Sequence, residues 1–176
     1  GALRAFCDAH GIVLQHVKPH GSLYNMFVDN DELARTIAGA VASVDPNLLL
    51  VTLAGPKDQR LREIAAEAGV RIFFEAFPDR AYTARGTLAP RSNPGALIDD
   101  PPVVAERALM MAAEGRIIAD DGTVLTLEAD TLCVHGDTPH AVDLASHIRR
   151  ILEDNNIQVL PMSDIQKLRM AQGDQG

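Results

Sequence analysis

The stretch LLLVTLAGPKDQRLREIAAEAGVRIFF, residues 48–74, decides the fold class. Leu48 to Leu53 is a continuous apolar run of the kind found in strands covered on both faces. Lys57 to Ala68 carries apolar residues at helical spacing and ends at Gly69, and Val70 to Phe74 is again a short apolar run. Strand, helix and strand within 27 residues make a βαβ unit, whose strands run parallel. The carboxyl ends of parallel strands share one rim, and chemistry gathers there.

The alternation continues outward in both directions. Ile12 to Val17 reads as a strand, and Asp29 to Val44 as a helix capped by the Asp29-Asn30-Asp31 cluster, with Leu33, Ile37, Ala40, Val41 and Val44 on one face. After the unit, Glu75 to Asp100 is a long polar stretch, uncommon inside a compact domain unless it is functional or flexible. Asp100-Pro101 opens a helix running to Gly115. Arg116 to Ala119 and Thr123 to Leu127 flank Asp120-Asp121-Gly122 as a hairpin. Thr131 to Val134 is the next strand, Pro139 to about Asn155 a helix, and Ile157 to Leu160 a fifth main strand. A short helix is expected over Ser163 to Met170. Gly1 to Gly11 reads as the last turns of a helix closed by Gly11, so the chain is expected to be the later portion of a longer protein, folded as a single domain over residues 1–176. A closed barrel of this kind has about eight strands and roughly 250 residues.

Composition bounds the function. With 176 residues and 47% hydrophobic content the chain can bury a sizeable core. A net charge of −8, without any run of lysine or arginine, argues against a nucleic-acid or anionic-membrane surface and for small soluble partners. Cys7 and Cys133 stand far apart, which indicates neither a disulfide framework nor a cysteine zinc site and fits a reducing cytoplasm. No stretch approaches the length of a membrane span.

Two histidine-glycine segments follow strand-like runs. In Val17-Lys18-Pro19-His20-Gly21-Ser22-Leu23-Tyr24-Asn25, Pro19 fixes the backbone and Gly21 permits a tight turn. His20 either caps that turn or serves a site with Lys18, Tyr24 and Asn25, since lysine and asparagine suit a carboxylate or phosphate and histidine suits a proton. In Cys133-Val134-His135-Gly136-Asp137-Thr138-Pro139-His140, Asp137 or Thr138 can cap the helix begun by Pro139, placing its free N–H groups beside His135. Asp137 is alternatively the group that orients His135 for proton transfer, and the competing reading is a cap with a structural histidine. Glu75, at a strand end among phenylalanines, is a functional carboxylate or half of a buried pair with Arg80. Arg80, Arg85 and Arg91 are a solvated loop's scatter or a mobile clamp over an anion. No phosphate-binding loop, dinucleotide fingerprint, nucleophile elbow or zinc-helix motif is present.

Val17 to Asn25, Phe77 to Tyr82 with Gly86, Leu88 and Arg91, Pro94-Gly95-Ala96, and Cys133 to Val142 resemble successive motifs of the LamB/YcsF family, in order and spacing, over nearly the whole chain. Ser22 and Pro78 stand where that family usually has alanine. The resemblance implies the carboxyl-terminal two thirds of an α/β fold, a seven-stranded, deformed β/α barrel of the glycoside hydrolase/deacetylase type. It implies ATP-dependent opening of 5-oxo-L-proline to L-glutamate, with ATP as co-substrate and a divalent metal an open question, in a 5-oxoprolinase that also has B and C subunits. It places His20, Glu75, His135 and Asp137 as the catalytic set and Lys18, Asn25, Asp79, Arg80 and Arg91 as substrate- or nucleotide-binding residues. Two rival expectations are a metal-dependent deacetylase or amidohydrolase that needs no ATP, with His20, His135 and Asp137 as ligands, and a non-catalytic scaffold subunit.

Overall fold

The central βαβ unit forms as the sequence predicts. In a computed structural model that describes residues 1–137 and 140–171, β2 (Leu49–Leu53) and β3 (Arg71–Ala76) pair in parallel from Leu49 opposite Arg71 to Leu53 opposite Glu75. Between them α4 (Asp58–Glu67) buries Leu61, Ile64 and Ala65. On one side β2 takes β1 (His16–Val17), and on the other β3 takes β6 (Thr131–Leu132), giving a parallel four-stranded sheet in the order β1-β2-β3-β6. This is a curled α/β half-barrel sheet, consistent with the deformed β/α barrel.

Alternation of side chains divides the core. Leu50, Ile72 and Phe74 face α4 and α3 (Asp31–Val44), in a cluster that also holds Ala34, Ala38 and Val41. Asn30 caps α3 through its side-chain oxygen, which accepts from the Leu33 N–H at 3.0 Å, and Asp31 and Glu32 lie in the first turn, where the helix dipole favours negative charge. Leu49, Val51 and Phe73 point to the opposite face, covered by Met162 and Ile165 of α7 (Met162–Ala171). A separate seam joins α5 (Pro101–Glu114) to α6 (Ala141–Asp154) through Val104, Ala108, Leu144, Ile148 and Leu152. α5 ends on Gly115 in the left-handed region, and the expected hairpin follows as β4 (Arg116–Ile118) and β5 (Val124–Thr126). No described helix is long and apolar enough to cross a membrane.

Three expectations are corrected. The strand expected over 12–17 shrinks to His16–Val17, because Ile12 closes α1 (Ala2–Ala9) by donating to the Cys7 carbonyl and Val13 is 87% exposed. Residues 157–160 form no strand: a groove of about 430 Å³ lies between them and the edge strand β6, and Ile157 packs into the α5–α6 seam instead. The helix expected from Pro139 starts at Ala141, with His140 at its N-cap in the left-handed region; Thr138 and Pro139, including the proposed Thr138 cap, lie outside the described residues. A further helix, α2 (Ser22–Asp29), follows the turn at Gly21, and its Tyr24 and Phe27 bury one face beneath the strand ends.

Candidate functional site

The carboxyl ends of β1, β3 and β6 release Lys18, Phe77 and Cys133 onto one rim, around a cavity of about 730 Å³. Lys18 Nζ lies 2.5 Å from Glu75 Oε2, and the Tyr24 hydroxyl donates to the same oxygen at 3.3 Å. Two donors hold one carboxylate oxygen. The ammonium also lies 5.4 Å from the Tyr24 ring centroid, 5.3 Å from that of Phe77 and 3.7 Å from Cys133 Sγ. The ring faces and the carboxylate together hold the amine in place. Burial, and then the Glu75 charge, push the Tyr24 hydroxyl well above its ordinary range, so it remains a donor. The Cys133 thiol is pushed up to about 11 by burial and Glu75, partly offset by Lys18, and is therefore not a thiolate at neutral pH. Glu75 is thus a buried carboxylate paired with Lys18, and the expected pair with Arg80 does not form.

The partner of His135 is also different from expectation. His135 Nδ1 lies 2.8 Å from Asp79 Oδ2, and its backbone N–H donates to the same oxygen at 3.1 Å. Its ring stacks on Phe77 at 5.5 Å and 22°. With Nδ1 committed to a carboxylate, Nε2 is the ring nitrogen left for a ligand's proton. Asp137, expected in that role, is 72% exposed and faces Arg91 at 3.3 Å, because the turn after Gly136 carries its side chain outward. Its own backbone N–H and then Arg91 hold its carboxyl below the usual range.

Asp79 is held from every side. Arg107 of α5, which carries no signal in the sequence, donates from Nε to the Pro78 carbonyl at 2.8 Å and from Nη2 to the Arg80 carbonyl at 2.6 Å. The Ile98 N–H donates to the Asp79 carbonyl between them. The side chain is 1% exposed, and its second oxygen, Oδ1, is sealed without a partner.

The long loop is a fixed wall rather than a free clamp. Arg80, 6% exposed, donates to the Ala89 carbonyl at 2.7 Å and the Ala96 carbonyl at 3.3 Å, which ties the two limbs of the loop together. Tyr82 accepts from the Phe77 N–H, and Gly86 sits in the left-handed region where a Cβ would come within 2.5 Å of the Pro56 ring. Arg85 and Arg91 remain exposed on the cavity lip, together with His20 and Asn25. Lys18, His20, Asn25, Arg80, Arg91 and His135 therefore border one cavity; Glu75 and Asp79 stand behind it as partners of Lys18 and His135, and Asp137 lies outside. Among the described residues no three His, Cys, Asp or Glu side chains are gathered as metal ligands, so the His20, His135 and Asp137 set is not assembled.

Residues 1–167 match the model of the LamB/YcsF family. The A subunit of 5-oxoprolinase from Pyrococcus furiosus is 50% identical over 167 residues, covering 95% of this chain and 64% of its own length. That of Syntrophobacter fumaroxidans is 50% identical over 162 residues, covering 92% and 63%. The crystal structure of the lactam utilization protein from Thermus thermophilus superposes with a TM-score of 0.78 at 48% identity, over 90% of this chain and 62% of that one. The chain thus spans somewhat less than two thirds of the length of these relatives. On the family match, the identity to these relatives and the shared half-barrel, the chain belongs to the LamB/YcsF family.

Proposed function

We propose that this chain serves in the ATP-dependent hydrolytic opening of 5-oxo-L-proline to L-glutamate, as part of the A subunit of a cytoplasmic 5-oxoprolinase that works with B and C subunits. One observation carries the reading: in a chain whose relatives are named as the A subunit of 5-oxoprolinase, an Asp79–His135 pair and a Glu75–Lys18 pair supply the wall of the same cavity.

A lactam carbonyl is a poor electrophile, and phosphorylation of its oxygen at the expense of ATP activates the carbon: water adds there, the ring C–N bond breaks as the nitrogen takes a proton, and the acyl phosphate left behind is hydrolysed to the carboxylate and phosphate. Within this chain, His135 takes the proton of the attacking water at Nε2, while Asp79 holds the tautomer and stabilises the imidazolium that results. Lys18, paired with Glu75 and set over two aromatic rings, stabilises negative charge developing on the substrate oxygen.

The test is the full-length protein assembled with its two partner subunits. Glutamate is expected to form from 5-oxoproline only when ATP is present. Turnover without nucleotide would replace this reading with an ATP-independent amidohydrolase.

A further inference from the structure

Arg80 carries a charge that the protein leaves without an ion pair. Its guanidinium is almost wholly buried and borders the cavity, yet it makes no salt bridge among the described residues; its protein acceptors are the two neutral carbonyls of Ala89 and Ala96. Those bonds use Nε and Nη2. Nη1 has no acceptor among the described residues and is not among the side-chain atoms sealed from solvent without a partner, so it keeps some exposure in a residue that lines the cavity. Buried charges are ordinarily compensated, since desolvation without a counter-charge is expensive.

The surrounding groups sharpen the imbalance. Asp79 faces both Arg80 and Arg107, so one carboxylate stands against two buried or half-buried guanidiniums, and the Tyr82 hydroxyl nearby is neutral, its pKa pushed far up by burial. Arg91 adds a further positive charge close enough to make Arg80 easier to deprotonate, after the larger effect of burial. Asp137 faces Arg91 from solvent, and an exposed pair of that kind adds little. In a protein of net charge −8, this side of the cavity holds excess positive charge.

We propose that Arg80 and Arg91 form an oxyanion subsite in the cavity wall, which takes a phosphate or carboxylate group of the bound ligand, with Asp137 as the internal group that this anion displaces. The inference deepens the 5-oxoproline reading and rests on it for the ligand's identity. The same chemistry has two sources there: the carboxylate of 5-oxoproline and the phosphate that ATP contributes. Guanidinium forks suit both.

Isothermal titration of the full chain with inorganic phosphate, 5-oxo-L-proline and 2-pyrrolidone, which is the same lactam without its carboxylate, tests the subsite. Phosphate is expected to bind, at least about ten-fold more weakly in Arg91→Ala and in Arg80→Lys, and a few-fold more tightly in Asp137→Asn. Arg80→Lys keeps the charge, circular dichroism verifies its fold, and Arg91→Ala leaves the loop's internal bonds in place. If phosphate displaces 5-oxoproline but not 2-pyrrolidone, the subsite takes the carboxylate; if phosphate and 5-oxoproline bind together, it takes the phosphate. No phosphate binding, or binding unchanged in Arg91→Ala and in folded Arg80→Lys, overturns the subsite. Turnover by the assembled enzyme is read separately: phosphate binding without any 5-oxoproline turnover refutes the assigned reaction and leaves the subsite standing.

Discussion

Two segments meet at His135, and their chemistry reads in opposite ways from the sequence. Residues 77–97 are polar and rich in glycine and arginine, and read as a flexible flap; residues 133–140 read as a built motif with a ready-made acid-base pair. In the structure the flap is the rigid element, because Arg80 and Arg107 satisfy its carbonyls from inside. The motif sends its carboxylate into solvent, and the flap supplies the buried carboxylate instead. Burial, rather than proximity in sequence, decides which aspartate governs the histidine.

The sharpest way to break this contrast is to exchange the fates of the two aspartates. Asp79→Asn should lower turnover of the assembled enzyme by about 10²–10⁴-fold, since an amide neither fixes the tautomer nor stabilises the imidazolium. Asp137→Asn should lower it by less than about ten-fold. Equal losses would restore Asp137 as the orienting group.

Rigidity of the flap can be challenged next. Arg80→Ala strands the Ala89 carbonyl, while that of Ala96 keeps the Ala81 N–H, and should cost about 1–3 kcal/mol in chemical denaturation. Arg107→Leu strands two more and should cost a similar amount. If either variant retains wild-type stability, the loop's bonds are dispensable and the clamp reading returns. Gly86→Ala, which presses a Cβ against Pro56 at a positive φ, should cost about 1–3 kcal/mol by the same measurement. A neutral result would mean that the loop is free to lift from its seat.

The smallest expected effect is one of pH. Asp58 accepts from the Gly55 N–H at 2.7 Å and so shapes the turn on which Gly86 rests. Burial pushes its carboxyl up to about 7, against the lowering influence of Gly55 and Arg62. The folded-state value exceeds that of the unfolded chain, near 3.9, so the folded state binds the proton more tightly. The resulting stabilisation is complete below about pH 4 and is lost as pH rises through about 7. Thermal unfolding from pH 4 to 8 should show that decline in the parent chain, and Asp58→Asn should flatten it. An identical slope in both proteins would assign the decline to other groups.

What was legible follows from how local each signal is. The β2–α4–β3 unit, the Asn30 cap, the Gly115 stop and the hairpin at Gly122 are written in adjacent residues, and each is found where the spacing puts it. The rim positions of Lys18, Glu75 and His135 were likewise readable, because each ends a strand. Their partners were not. Lys18 and Glu75 are 57 residues apart, and Asp79 and His135 are 56 apart, so both pairs depend on sheet register rather than on any local pattern. Arg107 was hidden for the same reason: on the sequence it is a polar position on an otherwise ordinary helix. The strand expected over 157–160 had the right side chains but, among the described residues, no neighbour to complete its ladder.

The α5–α6 seam works like a calliper. α5 grips Asp79 through Arg107, whereas α6 follows the segment that carries His135, so packing in the seam fine-tunes a gap between the acid and the imidazole that the β3–β6 register first sets. Ala108, fully buried on that seam beside Arg107, is the screw of the instrument. A random mutagenesis screen for altered turnover should therefore return changes in the greasy, chemically silent residues of this seam, well away from the reacting groups.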